Sequence, residues 1–140
     1  QVAKLLETTK ESLYRGVAAA RVGNRIGDIG YAVQSYCEAA GFSIVRDLVG
    51  HGIGRTMHED PMVPNYGHAG RGKKLTDGMV ICIEPMINMG KKDVYVERNG
   101  WGIRTVDGKC SAHYEFMVAI RTTGPEILTT YDYIQNIKNL

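Results

Sequence analysis

The sequence predicts an α+β domain, two helices leading into a set of mainly antiparallel strands. Three observations predict it. Apolar residues recur at three- and four-residue steps through the first 40 positions. After Phe42 the pattern changes to short runs rich in β-branched residues. Those runs are separated by glycine- and proline-bearing turns, with no further helical stretch among them before the last ten or so residues.

Val2, Leu5, Leu6, Leu13, Val17 and Ala20 mark an amphipathic helix over residues 2–22, diluted by Thr8, Thr9 and Ser12. Val22-Gly23-Asn24-Arg25 ends it. Asp28 reads as the N-cap or a first-turn acid of a second helix over 28–40. Its apolar stripe is Ile29, Ala32, Val33, Tyr36, Cys37 and Ala40, and Gly41 closes it. Residues 42–49 form a strand feeding the segment around His51. Residues 59–78 hold Pro61, Pro64, Asn65, Gly67, Gly70, Gly72 and Gly78 and read as one long loop. Met79-Val80-Ile81-Cys82-Ile83 is a strand covered on both faces, ending at Glu84-Pro85. Residues 92–97 and 101–106 give two weaker strands, with Asp107-Gly108 as a hairpin-type turn. Residues 111–122 are a further strand, 126–128 a last short one, and 130–140 a short helix.

At 140 residues the chain is long enough for one domain with its own core. Its 44% hydrophobic and 23% charged residues are ordinary for a soluble protein, and a net charge of +2 does not call for nucleic acid. Arg71-Gly72-Lys73-Lys74 reads as a solvated loop. The cysteines, Cys37, Cys82 and Cys110, are odd in number and widely spaced, with no C-x-x-C pair. That argues against a disulfide framework and a thiolate zinc site, and for reduced thiols in the cytoplasm. No apolar run approaches the ~18 residues of a membrane span, and no leader pattern is present. Residue 1 is glutamine, so the natural start is expected to lie outside the chain.

The candidate chemistry gathers in Gly50-His51-Gly52-Ile53-Gly54-Arg55-Thr56-Met57-His58-Glu59-Asp60-Pro61. Glycines beside His51 leave its backbone free of Cβ clashes, so the ring is expected to be presented at close range. The seven-residue gap between His51 and His58 is not the spacing of two ligands on one helix face, so the two are expected to do separate jobs in one irregular loop. Two glutamates also sit where glutamate is expensive. Glu84 closes the apolar run, and Glu115 lies in Tyr114-Glu115-Phe116-Met117-Val118. A buried carboxylate needs a cationic or metal partner. Arg104 and Arg121 could supply structural ion pairs. The competing reading brings His51, Glu84 and Glu115 to one divalent ion, since nitrogen and carboxylate oxygen suit zinc, manganese, cobalt or iron. His58 would then be a hydrogen-bond donor or proton shuttle, His113 would ligate or support a ligand, and His68 would be surface.

In order and spacing, Gly50-His51-Gly52-Ile53-Gly54, His58-Glu59, Ile83-Glu84-Pro85-Met86-Ile87-Asn88, Gly100-Trp101 and Ser111-Ala112-His113-Tyr114-Glu115 resemble the C-terminal half of the type I methionine aminopeptidases. The resemblance covers nearly the whole chain. It implies that residues 1–140 are a single partial domain, the C-terminal half of a pita-bread fold, with two helices packed on a curved, mainly antiparallel sheet. It also implies a hydrolase with two divalent ions (cobalt, manganese, iron or zinc) that removes methionine from nascent polypeptide N-termini in the cytoplasm. The ribosome is a further candidate partner. By position, His51 and Glu84 would hold one ion and Glu115 would bridge both. Glu84 and His58 are the catalytic candidates, His58 contacting the substrate peptide and steadying the tetrahedral intermediate. Met57 and Trp101 would line the methionine pocket or its rim.

Three departures accompany it. Met57 stands where an aromatic is common, and His113 where glutamine is common. Two further aspartate ligands belong to the N-terminal half, and Asp28, Asp47, Asp60, Asp77, Asp93, Asp107 and Asp132 are all expected in turns, caps or loops. The chain alone is therefore expected to hold at most one ion, weakly, to lack useful peptidase activity, and to self-associate through an exposed half-fold face. The alternatives are an Xaa-Pro dipeptidase-like enzyme of the same fold and a non-catalytic binding protein built on it.

Overall fold

The computed structural model describes residues 1–132. Helix α1 spans Val2–Ala19 and α2 spans Ile26–Ala39. Two of the hydroxyls that dilute the α1 pattern are satisfied by the preceding turn. Thr9 donates to the Leu5 carbonyl and Ser12 to the Thr9 carbonyl, each at 2.7 Å. Both residues therefore sit on the buried face without an unmet polar group. The Asn24 amide donates to the Ala19 carbonyl at 2.9 Å and closes the helix. Helix α2 begins two residues before Asp28, which occupies its third position. The Asp28 carboxylate accepts the Arg25 N–H and the Gly70 N–H, both at 2.7 Å, so one acid caps the helix and ties down a loop.

Among the described residues ten strands follow: β1 Ser43–Ile44, β2 Gly50–Gly52, β3 Glu59–Val63, β4 Val80–Ile83, β5 Met86–Asn88, β6 Val94–Val96, β7 Ile103–Thr105, β8 Ser111–His113, β9 Phe116–Ala119 and β10 Glu126–Ile127. They make a five-stranded sheet in the order β10-β9-β4-β2-β3, a three-stranded sheet β1-β5-β8, and the hairpin β6-β7. Every pairing is antiparallel. The α+β expectation is met.

Several elements differ from expectation. The strand over 42–49 shrinks to two residues, because Arg46, Asp47 and Leu48 leave the ladder for solvent. The long loop over 59–78 contains β3. Pro61 is tolerated there because β3 is the sheet's edge, where a missing N–H breaks no interior ladder. Asp60 is accordingly strand-borne, although solvent-exposed. The single strand over 111–122 divides into β8 and β9, and Met86–Asn88 forms a strand the sequence did not announce. Beyond residue 132 the expected C-terminal helix lies outside the described residues.

The divisions share a cause. β4 runs into β5 through Glu84-Pro85, and β8 runs into β9 through Tyr114-Glu115. Ile83 lies opposite Phe116 and Met86 opposite His113, so one register carries through both sheets. Pro85 has no N–H to give, and pairing is interrupted there. Its carbonyl still accepts the Tyr114 N–H at 3.4 Å. Glu84 and Glu115 thus face each other across the seam between two sheets.

Both helices cover one face. Leu13, Val17, Ile29, Ile81, Ile83, Phe116 and Val118 form one core cluster over the larger sheet. Leu5, Val33, Cys37, Ile44, Ile87 and Ala112 form another over the smaller. Since Ile81 and Ile83 point at the helices, Cys82 and Glu84 point to the opposite face.

Candidate metal centre

Strand β2 carries His51 and lies between β3 and β4. His51 pairs with Met62 on one side and Cys82 on the other, and the register slips by a bulge between His51 and Gly52. The histidine therefore sits on a strand instead of in the irregular loop expected. Its glycine neighbours are required by packing. A Cβ on Gly50 would lie 2.2 Å from the Cys82 carbonyl oxygen, and one on Gly52 would lie 2.3 Å from that of Asp60.

His51 Nδ1 lies 2.9 Å from the Gly52 carbonyl oxygen. A carbonyl only accepts, so Nδ1 carries the proton and a neutral ring offers its lone pair at Nε2. That Nε2 faces Glu84 Oε1 at 3.4 Å. The other Glu84 oxygen faces His113 Nε2 at 3.3 Å. Glu84, His113 and Glu115 present one ligand atom each within 4.8 Å of one another, and so do His51, Cys82 and Glu115. His51, Glu84 and Glu115 therefore converge, although 33 and 31 residues separate them in turn. A lone pair facing a carboxylate needs a cation between them, either a proton or a metal ion. The nitrogen–carboxylate donor set fits a borderline divalent ion.

The structural ion pairs are accounted for elsewhere. Arg104 is engaged by Glu97, and Arg121 by Glu126 at 3.0 Å. Among the described residues, neither Glu84 nor Glu115 has a lysine or arginine partner. Glu84 is half-buried, as its partners require. Glu115, expected to be buried, is exposed. It sits at the break between β8 and β9 on the face turned away from the helices, where no described element covers it.

The His58 ring lies against that of His51, with centroids 4.2 Å apart and planes tilted by 53°. A cavity of about 570 Å³ opens beside them, where Val45, Leu48, Val49, Met86, Val94 and Ile103 meet His51, His58, Glu84, Arg104, Thr105, Ser111 and His113. It joins an apolar wall to convergent polar groups, as small-ligand sites do. A larger hollow, about 740 Å³, lies along α1, but its wall of Lys4, Glu7, Lys10 and Glu11 holds no histidine or cysteine.

Met57 and Trp101 stand outside the wall of the cavity, 70% and 89% exposed. Met57 belongs to the turn between β2 and β3. Trp101 caps the β6-β7 hairpin, where the Asn99 side chain accepts the Trp101 and Gly102 N–H groups at 2.9 Å. His68 is on the surface, as expected.

Sequence reasoning missed Cys82 as a site residue. It is 2% exposed and lies between His51 and Glu115. Burial pushes its thiol up to about 12, and the adjoining Glu115 and Glu84 carboxylates add to the rise. Its place two residues before Glu84, on the same face of one strand, was the available signal.

Residues 1–122 match the model of metallopeptidase family M24. A methionine aminopeptidase of Clostridium acetobutylicum is 54% identical over 92% of this chain and 52% of its own length. One of Clostridium perfringens is 58% identical over 90% and 51%. The crystal structure of methionine aminopeptidase from Rickettsia prowazekii superposes with a TM-score of 0.90 at 41% identity, covering 92% of this chain and 52% of that one. The chain spans about half the length of the curated relatives it matches.

Proposed function

This chain belongs to metallopeptidase family M24, and from that premise we propose that it is the C-terminal half of the catalytic domain of an enzyme that removes methionine from protein N-termini. The observation that carries the reading is the convergence of His51, Glu84 and Glu115 beside an apolar cavity, with both neighbouring arginines engaged elsewhere. The identity to named methionine aminopeptidases, 54–58%, supports the substrate.

In this reading His51, Glu84 and Glu115 would hold a divalent ion, cobalt, manganese, iron or zinc. A bound ion of this kind acidifies water and polarises a carbonyl. The chain's own residues do the rest. The Nδ1–H bond to Gly52 fixes the His51 ring with Nε2 inward. Glu84, held between two imidazoles, serves as ligand and as proton acceptor. His58 reaches over the cavity edge to donate to the substrate carbonyl. Val45, Leu48, Met86 and Ile103 take the methionine side chain, and shape provides most of the discrimination. Met57 and Trp101 belong to the rim, meeting the residues after methionine. Two aspartate ligands come from the part of the relatives' length that this chain does not span. The compartment is the cytoplasm and the substrates are nascent chains, with the ribosome a further partner.

Equilibrium dialysis with Mn²⁺ or Co²⁺, beside an assay of methionine release from a Met-Ala-Ser peptide, tests the proposal. The 140-residue chain is expected to bind one ion weakly and release no methionine. Joined to the remaining half, it is expected to turn over, and His58→Ala should lower kcat by ~10²–10³. Undiminished release by His51→Ala and Glu84→Gln in the joined protein would refute the assignment.

A further inference from the structure

We infer that Cys82 is a metal donor in this protein, completing with His51 and Glu115 a nitrogen–sulfur–oxygen set that favours thiophilic divalent ions such as zinc and cadmium over manganese. The inference rests on the proposed metal centre and adds a sulfur ligand to it.

Placement carries the argument. His51 lies opposite Cys82 across β2 and β4, and Cys82 lies opposite Met117 across β4 and β9. The three side chains therefore stand abreast on the face away from the helices. Glu115, two residues before Met117, and Glu84, two after Cys82, share that face. The Cys82 thiol, the Glu115 carboxylate and the His51 ring each bring a donor within 4.8 Å of the others. At 2% exposure Cys82 is buried. The helix-facing core is filled from the same strand by Ile81 and Ile83.

A second set, Glu84, His113 and Glu115, shares only Glu115 with the first. The two sets differ in hardness. One offers two carboxylates and an imidazole, the other one of each with a sulfur. Hard ions lose nothing by ignoring the thiol, whereas soft ones gain a strong bond from it. The wide cysteine spacing argues against an all-thiolate zinc site. It leaves open one sulfur joining a histidine–carboxylate centre. On ligation the S–H bond breaks, the proton passes to solvent, and the sulfur lone pair forms the bond to the ion. No oxidant or reductant is involved.

Cobalt(II) is the probe, because a sulfur–cobalt bond alone gives an intense near-ultraviolet charge-transfer band, while the visible d–d bands report binding by any ligand. The 140-residue chain titrated with Co²⁺ should show both. A Cys37→Ser/Cys110→Ser double variant should keep the charge-transfer band, assigning it to Cys82 without altering that residue. Cys82→Ser should lose the band, keep the d–d spectrum, and weaken zinc by about tenfold or more while leaving manganese unchanged. A d–d spectrum without charge transfer in the unsubstituted chain overturns the sulfur ligand and leaves the metal centre standing. No cobalt spectrum at all overturns both.

Discussion

Asn65 lies beneath the site with no solvent exposure, and its side-chain amide donates to the Glu84 carbonyl at 3.0 Å. It holds the backbone of a proposed ligand, not the ligand's carboxylate. Asn65→Ala would leave that carbonyl without its donor and should destabilise the fold by ~1–3 kcal/mol in urea unfolding; an unchanged midpoint would show the bond to be idle. From sequence, an asparagine between Pro64 and Tyr66 reads as a turn residue, and nothing local reveals a partner 19 positions away. The cysteines are more legible in number than in role. Cys110 is exposed, whereas Cys37 and Cys82 are buried. A native-state thiol titration should therefore find one fast group, with the other two reacting after unfolding. Burial pushes Cys37 up to about 11 and Cys82 up to about 12, from an ordinary 9.0. The folded state thus keeps protons that the unfolded state releases above pH 9. Stability is unaffected below that value and falls as pH climbs towards 12, which denaturation midpoints across that window would register.

At the scale of elements, the two helices and the apolar run ending at Glu84 were readable because periodicity and burial largely agree there, although Val2 and Leu6 of the α1 stripe face solvent. The breaks were not. Residues 111–122 alternate well enough for one strand, and only pairing with Pro85 shows why the ladder stops at Tyr114 and Glu115. Strand β3 was hidden by its proline, which edge position excuses. The exposure of Glu115 follows from the same break. From sequence, Gly50 and Gly52 free the His51 ring for presentation; in the structure they make room for the backbone of the strands beside β2. Gly50→Ala would push a methyl against the Cys82 carbonyl and should cost about 3 kcal/mol or more, seen as a lowered urea midpoint. A midpoint within a few tenths of the unsubstituted value would mean β2 can shift. Asp28→Ala removes both the α2 cap and the anchor for Gly70, with an expected loss of ~1–2 kcal/mol.

Across the whole molecule, the helices occupy one side of the sheets and the cluster of candidate donors the other, so donors and core packing draw on alternate residues of the same strands. An ion bound only by the folded chain should raise the unfolding temperature. At a hundred times its Kd the gain is ~2.7 kcal/mol, and His51→Ala should abolish the shift. Trp101, the single tryptophan, is 89% exposed at a hairpin tip. Its emission is expected to change little on unfolding, so circular dichroism must follow that transition.

The unbroken register across the seam has one more consequence. Glu84 and Glu115 are pinned opposite each other by main-chain pairing on both sides, so their charges cannot drift apart when no cation screens them. Directly opposed like charges cost ~0.2–1 kcal/mol. Glu115→Gln should recover that amount in the metal-free chain while depriving both donor sets of their common member. Selecting variants for heat tolerance alone would therefore discard the acid that both donor sets share.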